Sequence, residues 1–247
     1  MLTLLFARAH ENMLELFQNG LITIIKTPHI TLVYYVFLAL CAIVPYLLGS
    51  FNTAVFVTKR LVGEDVREKG SGNAGLTNTN RVYGARVALF VLLGDGLKAL
   101  LSVLFAGLLF GMQYVFGFAC SSIPYMAALF CVIGHVFPVF YRFKGGKGVL
   151  CTFVSALVLS PLVTLILFAI FALILVATKY VSLGSVIAGV MYCFVLNRMM
   201  GLFSLFPDGL ITLSTIAMGL LIVWCHRENI KRIMNKTESK FSFKKHR

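Results

Sequence analysis

Residues 87–110 read VALFVLLGDGLKALLSVLFAGLLF, a run of 24 residues with only two charged side chains, Asp95 and Lys98. A helix that crosses a membrane needs about 20 consecutive, mainly apolar residues. The whole chain has the same character, because 59% of its 247 residues are hydrophobic and only 13% are charged. Soluble domains carry about 25% charged residues. The sequence therefore predicts an all-α polytopic membrane protein.

Seven apolar segments predict seven transmembrane helices. They are Thr31–Val57, Val87–Phe110, Ile123–Tyr141, Val149–Ser160, Pro161–Ala177, Leu183–Asn197 and Leu210–Cys225. The fourth segment is short, and Pro161 makes a natural break between it and the fifth, since proline ends one helix and is tolerated at the start of the next.

The positive charges predict the orientation. Of the 22 lysines and arginines, 18 lie in four regions that seven helices place on one side: Lys59–Arg86, Arg142–Lys147, Lys179 and Arg227–Arg247. Cytoplasmic loops carry the excess of Lys and Arg, so we expect the N-terminus outside and the C-terminus in the cytoplasm. The net charge of +13 then indicates contact with anionic membrane lipids and not with nucleic acid.

This layout predicts three regions. Polar side chains interrupt residues 1–30, so we expect an N-terminal extension that forms an amphipathic helix at the membrane interface. Residues 31–226 form the seven-helix domain, and residues 227–247 form a basic cytoplasmic tail. The six scattered cysteines include no CxxC pair, so we interpret them as small buried apolar residues, neither disulfides nor metal ligands.

A polar, glycine-rich segment precedes the second predicted helix. Residues 66–78 read VREKGSGNAGLTN, and Arg81 follows. Glycines let backbone N–H groups approach a ligand closely, and such groups beside Arg and Lys favour anions, phosphate above all. The pattern GxGxxG is present, but a dinucleotide fold needs a buried strand before it, and residues 64–69 are polar. We therefore predict a phosphate-binding loop, with a mobile connector as the alternative.

A second glycine-rich segment, FKGGKG at residues 143–148, follows the third predicted helix. It is not a Walker loop, because no Ser or Thr follows Lys147. Its three glycines still allow the backbone to wrap around an anion, and Lys147 supplies a point charge. A basic cytoplasmic turn is the alternative interpretation.

Four further groups of polar residues lie in or next to apolar segments. His135 lies within the third, either as a packed core residue or as a functional one, since ionisable groups at membrane depth are costly. Asp95 and Lys98 share a helix face, which fits a structural ion pair or the positioning of the glycine-rich loop. Ser185 lies one turn into the sixth, and the sequence HRENIKR begins at His226, directly after the seventh. All these groups fall on the predicted cytoplasmic side, which indicates one site there.

With these residues in hand, the chain resembles the acylphosphate-dependent glycerol-3-phosphate acyltransferases of bacteria, the PlsY-type family. The resemblance runs from about Leu48 to Phe241. It covers GSFN at 49–52, the loop through Gly70–Arg81, Asp95 with Lys98, Gly134–Lys147, Tyr180–Ser185, His226–Arg232 and TESKF at 237–241. Ala74 and Leu76 depart from the family, which often has Pro and Ala there, so we expect a changed loop geometry and retained chemistry.

The resemblance implies a reaction. The 1-hydroxyl of glycerol 3-phosphate attacks the carbonyl of a long-chain acyl phosphate, giving lysophosphatidic acid and inorganic phosphate, the first acylation of phospholipid synthesis. It implies a multi-pass protein of the bacterial cytoplasmic (inner) membrane with its active site at the cytoplasmic face. It implies no cofactor and no metal, and the enzyme that makes acyl phosphate is a candidate partner.

The resemblance also implies roles for single residues. Expected catalytic residues are Ser71, Arg81, Lys147, Ser185, His226 and Glu228. Expected phosphate-binding residues are Gly72, Asn73, Thr77, Asn78, Lys144, Gly145, Gly146, Gly148 and Asn229. Expected supporting residues are His135, Asp95 and Lys98. We expect direct transfer without an acyl-enzyme, with a substrate phosphate oxygen or His226 as the base.

Two other classes of function compete with this one. A transporter or channel for an organic phosphate would show polar groups on both sides of the midplane and often two related halves, and the sequence shows neither. A metal-dependent enzyme acting on a lipid phosphate would need clustered carboxylates. Glu64, Asp65 and Glu68 do cluster, but Arg67 and Lys69 offer ion pairs.

Overall fold

The computed structural model describes residues 15–16, 18–25 and 29–241. Within these residues the chain forms ten α-helices and one short hairpin. The helices are α1 (Leu21–Ile24), α2 (Ile30–Ser50), α3 (Thr53–Leu61), α4 (Leu76–Phe110), α5 (Ser122–Val136), α6 (Val149–Leu159), α7 (Pro161–Thr178), α8 (Val181–Leu202), α9 (Gly209–Cys225) and α10 (Arg227–Met234). The hairpin pairs β1 (Tyr114–Val115) with β2 (Phe118–Ala119), and 3-10 turns cover Val66–Glu68 and Val139–Tyr141.

The helices confirm a helical protein with several membrane spans. Five are long and apolar enough to cross a membrane, and α9 with α10 makes a sixth if this pair, bent by 53°, counts as one span. Helix α6 has only 11 residues and is therefore about 16 Å long, so it can complete a span of about 30 Å only where neighbouring helices share the load.

Several predicted boundaries were wrong, and local chemistry explains them. The first predicted span is interrupted at Phe51, and Asn52 starts a new helix because its Oδ1 accepts a hydrogen bond from Val55 N at 3.0 Å. Helix α4, which contains the second predicted span, begins at Leu76, inside the segment predicted as a loop. It is broken at Gly84, whose φ of 81° is left-handed. The amphipathic turns before Gly84 carry too few apolar residues to be recognised as part of a span.

Helix α5 lies at the centre of the bundle and packs very closely against α2. A Cβ added to Gly49 would lie 2.1 Å from the carbonyl oxygen of Cys131, and one added to Gly134 would lie 2.1 Å from that of Tyr46. Small residues of this kind allow membrane helices to approach backbone to backbone. The contact fixes the end of α5, and with it the second glycine-rich segment, against the first helices of the bundle.

The predicted interfacial helix of residues 1–30 lies mostly outside the described residues and stays a prediction. Its described part contains α1, which packs against α2 and α4. A Cβ on Gly20 would lie 2.2 Å from the backbone nitrogen of Gly111, so the two backbones are in contact at the end of α4.

Candidate active site

One cavity of about 950 Å³ lies between the start of α4, helices α6 to α9 and the chain after α10. Its polar end is lined by Ser71, Asn73, Thr77, Arg81, Lys147, His226, Asn229, Arg232 and Glu238. Its apolar end is lined by Leu150, Phe153, Ala156, Leu167, Phe168, Phe171, Ala188 and Ile222. The cavity therefore suits a ligand with an anionic head and an apolar tail.

The first glycine-rich loop is held by the side chain of Asn78. Its Oδ1 accepts a hydrogen bond from Ser71 N at 2.9 Å, and its Nδ2 donates to the carbonyl oxygens of Val66 at 3.1 Å and Lys69 at 3.0 Å. Both amide protons are thus used, and the side chain is buried. Asn78 lines the cavity as predicted, but it shapes the loop and has no donor left for a phosphate.

Arg81 lies at the mouth of the cavity on the helical turns before Gly84. It is exposed, and its guanidinium makes no hydrogen bond or ion pair with the part of the chain that the structure describes. Ser71 and Thr77 are also exposed and line the same wall. These side chains provide a free guanidinium and two hydroxyl groups, which together can bind a phosphate.

Lys147 also lines the cavity and belongs to a hydrogen-bond network with α10 and the chain that follows it. Its Nζ donates to Oδ1 of Asn229. Asn229 Nδ2 donates in turn to Glu238 Oε1 at 2.6 Å, which also accepts from Ser182 Oγ at 2.8 Å. Arg232 Nε donates to Glu238 Oε2 at 2.8 Å. Glu238 therefore fixes which way the Asn229 amide points, so that its oxygen faces Lys147.

The sequence analysis assigned no role to Ser182, Arg232 or Glu238, although all three line the cavity. The signal for Glu238 was present in TESKF, the segment that matches the family's tail. Its place in the site follows from the tail folding back: Phe241 N donates to the carbonyl oxygen of Lys179 at 2.7 Å. Part of the predicted basic tail therefore forms a wall of the cavity.

Burial and charge shift the pKa values of this network. Burial lowers the pKa of Lys147 to about 8, with the charges of Arg232 and Arg81 adding to the effect and that of Glu238 opposing it. Burial would raise the pKa of Glu238, but hydrogen bonds from Asn229, Arg232 and Ser182 hold it below its ordinary value. The site therefore places a lysine with a lowered pKa beside a carboxylate whose ionised form is stabilised.

His226 lies at the bend between α9 and α10 and is buried. Its Nδ1 lies 2.8 Å from the carbonyl oxygen of Ile222. A carbonyl only accepts, so Nδ1 carries the proton and Nε2 keeps a lone pair. Burial lowers the pKa of His226 to about 4, and the Lys147 ammonium adds to this. At neutral pH the ring is an uncharged acceptor on the cavity wall.

Ser185 also lines the cavity, on the face of α8 that Ser182 shares. Its hydroxyl donates to the carbonyl oxygen of Val181 at 2.9 Å. The oxygen lone pairs remain available, and the hydroxyl can exchange this bond within its own helix for one to a ligand.

The second glycine-rich segment is a packed structure. A Cβ on Gly145 would lie 2.0 Å from the carbonyl oxygen of His135, and one on Gly146 would lie 2.1 Å from His135 Nε2 and 2.8 Å from the Ala74 carbonyl oxygen. Gly148 has a left-handed φ of 79° and lines the cavity. Gly145 and Gly146 do not line the cavity; they allow the two glycine-rich loops to pack together and so position Lys147.

Asp95, Lys98 and His135 form a buried cluster behind this segment. Lys98 Nζ lies 2.8 Å from Asp95 Oδ1 and 3.0 Å from His135 Nδ1. Asp95 and His135 line the cavity, whereas Lys98 lies behind them. Among the described residues, Asp95, His135 and Cys151 have ligand atoms close enough together for a metal, but the Lys98 ammonium already neutralises Asp95.

Besides Gly145, Gly146 and Lys98, three of the expected site residues do not line the cavity. Glu228 is exposed and pairs with Lys231 Nζ at 3.2 Å. The side chain of Lys144 is exposed, and only its backbone carbonyl contacts the first loop, through Arg67 Nη1 at 3.5 Å. Gly72 is also exposed. Glu228 lies two residues after His226, and successive residues of a helix point about 100° apart, so the two side chains face different ways.

Aromatic side chains of α6 and α7 line the apolar end of the cavity. Phe153 and Phe168 are 38% and 51% exposed, and their ring centroids lie 5.9 Å apart. Both residues lie within apolar helices, so this end of the cavity suits an apolar tail.

Known proteins resemble the chain over most of its length. The model of the glycerol-3-phosphate acyltransferase family matches residues 39–236. The glycerol-3-phosphate acyltransferase of Clostridioides difficile is 38% identical over 211 residues, which cover 83% of this chain and 95% of that protein. The Bacillus subtilis enzyme of the same name is 38% identical over 206 residues, which cover 82% of this chain and 97% of that protein.

Solved structures agree with these relatives. The crystal structure of PlsY, an integral membrane glycerol 3-phosphate acyltransferase, in its glycerol 3-phosphate form matches with a TM-score of 0.70 and 33% identity, covering 83% of this chain and 96% of that one. The lysophosphatidic acid form matches with the same TM-score and 31% identity, covering 83% and 95%. The chain, a multi-pass membrane acyltransferase, belongs to the glycerol-3-phosphate acyltransferase family.

Proposed function

We propose that this enzyme transfers a fatty acyl group from a long-chain acyl phosphate to the 1-hydroxyl of glycerol 3-phosphate. The products are lysophosphatidic acid and inorganic phosphate. The observation that carries the proposal is the cavity that joins a cationic, hydroxyl-lined end to an apolar end between membrane helices. The glycerol 3-phosphate and lysophosphatidic acid forms of PlsY support the choice of acceptor and product.

The chemistry of an acyl phosphate fits what the cavity provides. The donor is a mixed anhydride with a good leaving group, so the protein needs no nucleophile of its own. It must hold two phosphates side by side and neutralise them, which suits Arg81, Lys147 and Arg232 around one cavity. The donor's tail would lie along the apolar end, between Phe153 and Phe168.

In the proposed step, the oxygen of the 1-hydroxyl attacks the acyl carbonyl carbon as its proton leaves. The bond between that carbon and the phosphate oxygen then breaks, and phosphate departs with the bonding electrons. His226 Nε2 has a free lone pair, but the low pKa of His226 makes the ring a weak base. A phosphate oxygen of a substrate, with a pKa of about 6, is the better proton acceptor, and His226 then orients the hydroxyl.

The remaining roles follow from position. Ser71, Asn73, Thr77 and Arg81 bind one phosphate directly, and Lys147 binds the other. Ser185 contacts the glycerol backbone. Asn78, Asn229, Gly145, Gly146 and Gly148 position these groups and leave the direct contacts to them. Glu228 and Lys144 lie outside the proposed site, because their exposed side chains do not line the cavity.

The proposed topology has seven spans, with the N-terminus outside and the C-terminus in the cytoplasm, in the bacterial inner membrane. The three-part division of the chain and a cytoplasmic active site belong to the same proposal. It is supported by the 18 basic residues on one side and by the position of Arg81, Lys147 and Arg232 at that end of the helices. In the same proposal, the cytoplasmic enzyme that makes acyl phosphate is the partner that delivers the donor.

A donor panel tests the proposal. Purified protein in detergent receives glycerol 3-phosphate with palmitoyl phosphate, palmitoyl-CoA or palmitoyl-acyl carrier protein, with and without EDTA. We expect lysophosphatidic acid from the acyl phosphate alone, unaffected by EDTA. Turnover of a thioester would replace the proposed donor, and loss of activity in EDTA with recovery in magnesium would contradict metal independence.

A further inference from the structure

Lys98 Nζ is surrounded by acceptors in the interior of the bundle. It lies 2.8 Å from Asp95 Oδ1, 3.1 Å from the carbonyl oxygen of Gly49 and 3.0 Å from that of Phe51. The two carbonyls belong to the interruption between α2 and α3, where the helix leaves them without partners. The fourth neighbour is His135 Nδ1 at 3.0 Å. Lys98 and Asp95 are both almost fully buried.

These neighbours determine where the proton of His135 is. An ammonium has three N–H donors and no lone pair, and the carboxylate and carbonyl oxygens around Nζ favour this charged form. The four neighbours share its three donors. A protonated Nδ1 would point its hydrogen at a positive charge, so Nδ1 is the unprotonated ring nitrogen. The neutral ring therefore carries its proton on Nε2.

His135 is one of the residues that line the cavity. A Cβ on Gly146 would lie 2.1 Å from its Nε2, so the N–H of Nε2 lies beside the backbone that carries Lys147. Lys147 lines the polar end of the same cavity.

We propose that His135 is a fixed hydrogen-bond donor of the active site, whose Nε2–H binds an oxygen of the acyl phosphate. Lys98, held by Asp95 and the two carbonyls, is the positioning residue that keeps Nδ1 unprotonated. The Nε2–H of His135 is not transferred to the substrate. It stabilises the negative charge that grows on the leaving phosphate as the carbon–oxygen bond breaks. This rests on the proposed function, since it assigns a contact to the proposed donor.

Two amide substitutions distinguish the role of Nε2 from that of Nδ1. In His135→Gln the side-chain amide reaches the position of Nε2, whereas in His135→Asn it reaches only the position of Nδ1, beside Lys98. We expect the Gln variant to keep kcat within roughly 10-fold of the wild type. The Asn variant should lose about 100- to 1,000-fold, the usual effect of removing one transition-state donor. The KM for glycerol 3-phosphate should stay unchanged in both.

His29→Gln is the matched control, because His29 is exposed and precedes α2 far from the cavity in sequence and structure. It should be as active as the wild type. Size-exclusion profiles and thermal unfolding in detergent show whether each variant is folded. Equal loss in the folded Gln and Asn variants, or equal retention in both, would overturn the proposal.

A spectroscopic measurement tests the tautomer independently of activity. In protein labelled with 15N-histidine, the His135 ring signals are those missing from either His135 variant. We expect the resting enzyme to show a protonated Nε2 and an unprotonated Nδ1. A protonated Nδ1, or a cationic ring, would overturn the assignment. A wild type with this tautomer but without acyl phosphate turnover would instead refute the proposed function.

Discussion

Gly146→Ala should disable the enzyme although it adds one methyl group. The new Cβ would lie 2.1 Å from His135 Nε2, 2.9 Å from His135 Cε1 and 2.8 Å from the Ala74 carbonyl oxygen, whereas ordinary contacts start at 3.4 Å. His135 is held by Lys98, and Ala74 is backbone, so neither neighbour can yield easily. The loop that carries Lys147 must therefore move by more than 1 Å.

A shift of this size has a predictable effect. Overpacking costs about 1–3 kcal/mol of stability, and misplacing a reacting group by about 1 Å costs roughly 100-fold in rate. We expect kcat/KM for phosphate release to fall by about that factor while the protein still purifies as a folded species. The assay is phosphate release at varied concentrations of both substrates, with thermal unfolding in detergent in parallel.

Gly201→Ala is the matched control, because no atom lies within 4 Å of a Cβ at Gly201 and its φ is not left-handed. It lies in α8, where alanine favours the helix, so activity should be unchanged. A Gly146→Ala enzyme within about 3-fold of the wild type would refute the reasoning that close contact between the two glycine-rich loops positions Lys147.

Three other predictions follow from the same site. Arg81→Ala should lower kcat/KM by about 100-fold or more without loss of folding, whereas substitution of Arg86, which is also exposed, by Ala should leave kcat/KM unchanged. Near-normal turnover of the Arg81→Ala variant would show that Arg81 is not part of the site. Because the pKa of Lys147 is about 8, its positive charge is present below that pH and is lost above it. The kcat/KM profile should therefore fall about 10-fold per pH unit on the alkaline side, and a profile that stays flat to about pH 9.5 would contradict the role of this charge. Glu238→Gln should cost about 10-fold or more, since Arg232 and Asn229 lose a charged acceptor, whereas Glu228→Gln should change activity by less than about 2-fold; the reverse order in kinetic assays would restore the assignment made from sequence.

The sequence predicted the helical class and the convergence of the polar motifs because both depend on local composition. Each apolar segment is long enough to be recognised alone, and Arg81, Lys147 and His226 each stand in a polar stretch at the end of an apolar one. The positive-inside rule places all of these polar stretches on one side of the membrane helices. This is why the sequence predicts that they form one site.

The roles of single side chains could not be predicted as well from the sequence, because they depend on where each side chain points and on contacts between residues distant in sequence. Asn78 was expected to bind phosphate, yet its amide is fully used within its own loop. Glu228 was assigned from the family resemblance, but the helix turns it outward and the tail returns Glu238 to the site. Packing contacts of this kind leave no periodic signal in a single sequence.

The donor is the central claim, and the stoichiometry of phosphate release tests it most directly. Purified enzyme is given palmitoyl phosphate and glycerol 3-phosphate as the sole substrates, and inorganic phosphate and lysophosphatidic acid are measured in the same samples over time. The account predicts one phosphate per lysophosphatidic acid, and none of either product when one substrate is omitted. Phosphate release without lysophosphatidic acid, or no reaction from folded protein, would contradict acyl phosphate as the donor.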